Sequence, residues 1–217
     1  MTVFVVSAPS GAGKTTLNRR LIKECPQLEM SVSHTTRAPR SGEQEGVHYY
    51  FVQRPLFEQL IQAQAFLEWA EVHGNLYGTS FKELERIENQ GKSPILEIDV
   101  QGWQSIRARL PQAISIFILP PSLRSLWDRL ESRGSDLLEQ RWKRFQNAYA
   151  EIKNAKDYNV LIVNEDLEQA FQKLKGIMLA GKGTLGTNEE ALKLSQKLNE
   201  EFETAEWIKG LRSQLGS

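Results

Sequence analysis

The hydrophobic positions of this chain fall into two kinds of run. Val3–Ser7, Ile95–Val100, Ile114–Leu119 and Val160–Val163 are short, apolar and rich in β-branched residues. Runs of this length and texture read as strands covered on both faces. Each precedes a longer amphipathic stretch, at Lys14–Glu24, Gln101–Arg109, Pro121–Arg133 and Leu167–Leu179. Parallel strands need crossover helices, so this alternation predicts an α/β fold with a doubly wound parallel sheet at its core.

The texture changes in the middle of the chain. Ser31–Arg37, His48–Val52, Phe66–Val72 and Asn75–Tyr77 read as shorter strands carrying polar and aromatic residues, with a short helix at Phe57–Ala63. The expected organisation is one domain over residues 1–180, with a core of about 1–32, 91–133 and 156–180. A small mixed-sheet subdomain is inserted at about 33–90, and a charged helical lid lies at about 134–155. The tail, 181–217, is set apart by Gly181-Lys-Gly-Thr-Leu-Gly186. Its Ala191, Leu194, Leu198, Phe202, Ala205, Ile208, Leu211 and Leu215 recur at helical spacing. That stripe predicts a helix packed on its own domain or on a second subunit, leaving monomer and homo-oligomer both open.

Composition narrows the functional classes. Twenty-seven basic residues balance 27 acidic ones in 217, which argues against a protein that coats a nucleic acid polymer. One cysteine, Cys25, and three scattered histidines exclude an intrachain disulfide and a zinc site of ordinary spacing. No apolar run approaches the roughly 18 residues of a membrane span. The first residues carry no charged leader, so the expected location is the cytoplasm.

Candidate chemistry begins at Ala8-Pro-Ser-Gly-Ala-Gly-Lys-Thr-Thr16, set between a strand and a helix. This is a phosphate-binding loop, G-x-x-x-x-G-K-[ST], with alanine at the first glycine position. Ala8, Pro9, Ser10, Gly11, Ala12, Gly13, Lys14, Thr15 and Thr16 are the expected ATP-binding residues. Small residues let backbone N–H groups point at phosphate oxygens, Lys14 reaches the outer phosphates, and Thr15 helps hold Mg²⁺. The alanine matters only if position 8 needs a positive φ. Asp99, at a strand end, is a candidate for Mg²⁺ contact through water, in competition with a helix-capping role.

The guanine-reading Asn-Lys-x-Asp motif of GTPases is absent from the sequence. Instead, Arg37 and Arg40, with Tyr49 nearby, form a block able to clamp a second phosphate. A second anion site implies a phosphorylated acceptor. Here the chain resembles the guanylate kinases over about residues 3–180. The resemblance is carried by Ser7–Lys14, by Ser33-His-Thr-Thr-Arg-x-x-Arg-x-Gly-Glu43 and by Gly46-Val-His-Tyr-Tyr-Phe51. Further matches are Phe66-Leu-Glu-Trp-Ala70, Gly74-Asn-Leu-Tyr-Gly-Thr79, Leu96-Glu-Ile-Asp-Val-Gln-Gly102, Pro120-Pro-Ser122, Arg129-Leu-x-x-Arg-Gly134 and Val163-Asn-Glu-Asp166.

The resemblance implies ATP-dependent, reversible phosphorylation of GMP or dGMP, in purine nucleotide metabolism and GMP recycling. It assigns Arg37, Arg40, Tyr49 and Tyr77 to the monophosphate, and Ser33, Glu68, Thr79 and Glu97 to the guanine base. Glu43 and Asp99 complete that side, and Asn164 lies near the adenine. An ionised glutamate accepts together from guanine N1–H and N2–H₂, whereas adenine would leave it unpaired. Lys14, Arg37, Arg133 and Arg144 would neutralise the transferring phosphoryl group, the last two from the lid. The lid departs from its relatives at Leu137, Leu138, Gln140, Arg141 and Trp142, and Arg141 is expected to decorate the helix surface. Two other readings compete: a binding module that has lost catalysis, opposed by the intact Lys14 and Thr15, and a kinase for a phosphorylated sugar. The latter would not need Glu68, Glu97 and Tyr77 together.

Overall fold

Phe4–Ser7 (β1), Ser93–Glu97 (β7), Ile114–Leu119 (β8) and Val160–Val163 (β9) realise the apolar runs as strands, and β1 and β8 are buried at every position. The computed structural model describes residues 2–72, 74–131, 137–180 and 189–215. With Leu28–Met30 (β2) these strands form a five-stranded sheet in the order β2-β7-β1-β8-β9. β2 pairs with β7, and β8 with β9, in parallel. The expected strand at Ile95–Val100 starts earlier, at Ser93, and ends at Glu97, just before Asp99 caps the next helix.

Two units divide the chain. Residues 1–5 and 22–113 form the first, and 6–21 with 114–217 form the second. β1 contributes to both.

In the first unit a second sheet runs β4-β3-β6-β5, built from Tyr50–Phe51 (β4), His34–Thr35 (β3), Asn75–Ser80 (β6) and Phe66–Val72 (β5). One face packs on Arg54–Gln62 (α2), where Phe57 stacks on Phe66 at 4.4 Å beside Leu76, Leu60 and Ile61. α2 begins three residues before the predicted Phe57, helped by Pro55 in its first turn. The helix Phe81–Asn89 (α3) is absent from the periodicity reading. Its signal was present: Ser80 caps it by accepting from the Glu83 N–H at 3.2 Å, and Ser80-x-x-Glu83 is the capping-box spacing. Glu83 then turns elsewhere, accepting from the Val32 N–H and the Tyr50 hydroxyl, both at 2.9 Å, and from Arg86. Val100–Ile106 (α4) completes this unit's helices.

The second unit holds Lys14–Glu24 (α1) up to its Leu21, then Leu123–Glu131 (α5), Leu138–Ile152 (α6) and Leu167–Ala180 (α7). α6 starts where Gln140 turns back to accept from the Leu137 N–H at 3.2 Å, one half of a capping box. The tail stripe is two helices, Glu189–Thr204 (α8) and Glu206–Leu215 (α9), broken at Ala205. At the break Arg212 donates to the Phe202 carbonyl at 3.2 Å, covering an acceptor at the end of α8. Leu198, Phe202 and Ile208 are buried within this unit, so the predicted stripe is covered by its own chain there. Arg141 corrects an expectation. Its side chain is 15% exposed, lies over the Trp127 ring at 4.5 Å and pairs with Glu131, so it packs rather than decorates.

Candidate active site

The glycine-rich loop follows β1 and opens α1. Gly11 and Gly13 take φ of +94° and +95°, a conformation that L side chains rarely adopt. Between them the Ala12 N–H closes a turn onto the Pro9 carbonyl at 3.0 Å. Backbone that alternates in this way makes an anion-binding concavity at a helix N-terminus. Among the described residues the only non-glycine with positive φ is Gln64, so alanine at position 8 costs the loop no backbone strain.

Asn164 supports this loop. It is 4% exposed, and its side-chain N–H donates to the Ala12 carbonyl at 2.7 Å. Its own N–H donates to Leu119 at 2.8 Å, and its carbonyl accepts from Arg129 at 3.0 Å. A Cβ on Gly13 would lie 2.4 Å from the Asn164 amide nitrogen. Gly13→Ala therefore meets both a strained φ and an anchored side chain. Thermal unfolding should show a loss of about 1–3 kcal/mol, with ATP affinity falling alongside. An unchanged melt and unchanged ATP binding would contradict this account of the loop. Arg144, from α6, donates to the Ser10 hydroxyl at 3.1 Å, which places one predicted lid arginine on the loop. Arg133 lies outside the described residues.

In the first unit, the small sheet presents its other face. Cross-strand partners share a face, which puts Glu68 with Thr79, and Ala70 with Tyr77, on one side. Phe66 belongs to the core side, although in a regular strand residues 66 and 68 would point the same way. A β-bulge between Phe66 and Glu68 resolves the conflict: Phe66 pairs with Ser80 while Glu68 pairs with Thr79. Phe66 and Leu67 are both buried, and Arg109 reaches their carbonyls at 3.3 and 3.2 Å.

Glu68 thereby meets the Thr79 hydroxyl, which links it to a second hydroxyl, that of Ser33. Thr79 donates to Glu68 at 2.7 Å, and Thr79 and Ser33 share a hydrogen bond at 3.1 Å. Burial holds the Glu68 carboxyl above its ordinary pKa, partly offset by the Thr79 bonds, with Asp99 adding to the rise. Around it lies a cleft of about 480 Å³ lined by Ser33, Tyr49, Trp69, Tyr77, Glu97 and Asp99, with Gln101 and Ser105 from α4. That volume suits a small-molecule ligand.

Arg37 is held rather than loose. Its guanidinium donates to both oxygens of Glu43, at 2.8 and 2.9 Å, and to the Ala38 carbonyl at 2.7 Å. Glu43 also accepts from the Arg40 N–H at 2.7 Å. Both carboxylate oxygens are thus committed to the arginine pair. The Arg37 hydrogen bonds hold Glu43 below the usual carboxylate range, and Glu43 in turn raises Arg37. Tyr49 stands edge-on to Tyr77 at 5.9 Å, with the Arg37 guanidinium 5.5 Å from its ring centre. Arg40 is exposed. Asp99 does cap α4, accepting from the Gly102 N–H at 2.7 Å, and Glu97 is exposed at the last position of β7.

A family model described as guanylate kinase matches residues 1–181. The chain belongs to the guanylate kinase family. Among relatives, "Guanylate kinase" of Dechloromonas aromatica (strain RCB) is 47% identical over 184 residues, covering 85% of this chain and 91% of that one. "Guanylate kinase" of Salmonella paratyphi A (strain ATCC 9150 / SARB42) is 50% identical over 181 residues, with coverage of 82% and 87%. The crystal structure of guanylate kinase from Anaplasma phagocytophilum superposes with a TM-score of 0.65 at 34% identity, covering 91% of this chain and 95% of that chain.

Within this guanylate kinase fold, each unit gathers its own share of the predicted residues. The loop, Asn164 and Arg144 come together in the second unit. Ser33, Glu68, Thr79, Tyr49 and Tyr77 come together in the first, with Arg37 and Glu43 beside Tyr49. Trp69, Gln101 and Ser105 line the cleft without having been singled out by pattern. Arg109 and Glu83 were likewise missed, since each works through backbone atoms that a sequence does not display. Among the described residues no helix is long and apolar enough to cross a membrane.

Proposed function

We infer that this chain catalyses ATP + GMP ⇌ ADP + GDP, with dGMP as an alternative acceptor. Beyond family membership, the supporting observation is the Glu68–Thr79–Ser33 row in the small-sheet cleft. A carboxylate beside two hydroxyls matches guanine, whose N1–H and N2–H₂ donate and whose O6 accepts. Arg37 and Arg40, with Tyr49 and Tyr77, take the acceptor phosphate. Glu43 presets the guanidinium of Arg37, so less side-chain freedom is lost on binding. Glu97 and Asp99 complete the monophosphate side.

The loop takes the triphosphate of ATP through its backbone N–H groups and Lys14. Asn164 keeps the loop in shape from beneath and belongs to the ATP side by resemblance. Transfer needs an acceptor oxygen in line with the γ-phosphorus, and its catalysis is positioning and charge neutralisation. Lys14, Arg37, Arg144 and Arg133 supply positive charge for that. The expected metal is Mg²⁺, which when bound polarises the phosphoryl oxygens and neutralises their charge. The donor types suit it: Thr15 and Asp99 are exposed residues, Thr15 offering a hydroxyl and Asp99 a carboxylate that would act through water, and Mg²⁺ usually keeps several waters beside the substrate phosphates.

The same reading divides the chain by task into core, monophosphate-binding insertion at about 33–90 and lid at about 134–155. It places the enzyme in the cytoplasm, in purine nucleotide metabolism. A coupled ADP-release assay with ATP, Mg²⁺ and GMP, dGMP, AMP, CMP, UMP or ribose 1,5-bisphosphate tests it. Guanine nucleotides should exceed the other bases by about 10⁴-fold in kcat/KM. Turnover on the sugar bisphosphate alone would overturn the reading.

A further inference from the structure

Residues 182–217 lie beyond the segment that matches the family, and α8 and α9 within them pack on the helix that reaches the phosphate loop. α6 carries two functions on two sides. Trp142, Phe145 and Tyr149, spaced by three and four residues, share one face and are all buried. Arg144 projects from another side, to Ser10.

The tail covers the aromatic face. Phe202 of α8 stacks on Tyr149 with ring centres 3.7 Å apart and planes 9° from parallel. It also lies parallel to Trp142, at 6.1 Å and 11°. Phe145 contacts both Phe202, at 5.6 Å, and Trp207 of α9, at 5.8 Å. A polar bond fixes the register, since the Tyr149 hydroxyl donates to Glu203 at 2.9 Å. Stacked rings in a close-packed cluster tolerate little sliding or rotation. A small rotation of α6 would carry Arg144 away from the loop.

We propose that α8 and α9 brace α6, with Phe202 as a positioning residue that acts through this helix on Arg144. The brace sets the arginine at the phosphate loop before ATP arrives. It leaves the monophosphate side untouched, because none of its residues belongs to the first unit. The kinetic part rests on the guanylate kinase reading.

A double-mutant cycle tests it. Phe202→Ala should lower kcat by about tenfold and leave KM for GMP within about twofold, because a misplaced catalytic group costs rate. In an Arg144→Ala background the same change should alter kcat by less than about twofold, since the two act as one unit. A structural role would lower activity equally in both backgrounds, and that result would overturn the proposal. Tyr149→Phe keeps the ring stack, removes the hydroxyl with its bond to Glu203 and its interaction with Lys153, and keeps the cycle readable should Phe202→Ala fail to fold. It should lower kcat by about two- to threefold, again only when Arg144 is present. The cycle is repeated on the Kd for a fluorescent ATP analogue. If the parent chain transfers nothing to GMP, the guanylate kinase reading fails, and the brace is judged by whether coupling appears in that Kd. Additive effects in both readouts sink it.

Discussion

Replacing Lys14 by alanine lowers kcat for GMP phosphorylation by about 10³-fold, the scale of removing one preorganised charge from a transition state. The ammonium group faces charge that grows on the transferred phosphoryl group and the leaving oxygen, so the loss falls on kcat more than on ATP binding. The fold should survive. Lys14 is the first residue of α1 and only half-buried, while Leu17 and Leu21 hold that helix in the core. A coupled assay, read with a thermal melt within a few degrees of the parent, separates chemistry from unfolding. Full activity in the variant would remove the loop from the mechanism.

Glu68→Gln lowers kcat/KM for GMP by about 10²–10³-fold and leaves ATP affinity unchanged within about twofold. A carboxylate accepts from guanine N1–H and N2–H₂ together. The amide accepts once and turns a donor toward the second N–H, leaving a buried clash of donors. The parent enzyme should also show a pH signature. Burial raises the Glu68 pKa in the free enzyme, and guanine N–H donors favour the ionised form in the complex. The free enzyme thus holds more protons than the complex, so KM for GMP falls as pH rises through the free-enzyme pKa, which lies above the usual 4.5. Above that pKa the dependence flattens. The Gln variant lacks a titrating group there and should lose that limb of the profile. Equal losses for GMP and ATP, or the same limb in both proteins, would remove Glu68 from base recognition.

Much of this arrangement is legible from pattern. The buried runs at Ile114–Leu119 and Val160–Val163 appear as strands at the same residues, because apolar β-branched segments of that length have one good use in an α/β sheet. α1 likewise begins at Lys14, where the glycine loop ends. Less legible is the small sheet. Ser31–Arg37 contributes only His34 and Thr35 as a strand, and neighbouring Val32 and Ser33 are tied down by the Glu83 and Thr79 side chains. Such bonds join residues 46 and 51 positions apart, and no local periodicity encodes them. The tail shows a third case. Its stripe was visible as one helix, but the break at Ala205 depends on Arg212 folding back onto Phe202.

For the candidate site, residue types were readable and their assignments to partners were not. Glu43 belongs with the arginines through two carboxylate oxygens, and Asn164 belongs beneath the loop through a bond to Ala12. Both distinctions need geometry. Arg141 needs geometry too, since the Trp127 ring beneath it lies 14 positions away in the sequence.

The bulge in β5 has a bearing on how such a strand can change. A regular strand keeps one phase along its length, so a residue that reads a ligand is tied to every second neighbour in the core. Here the extra residue at Leu67 resets the phase between Phe66 and Glu68. The packing half and the reading half of the strand can therefore drift separately under mutation. Core substitutions around Phe66 can accumulate without turning the carboxylate, and the base-reading half can be retuned without reopening the core.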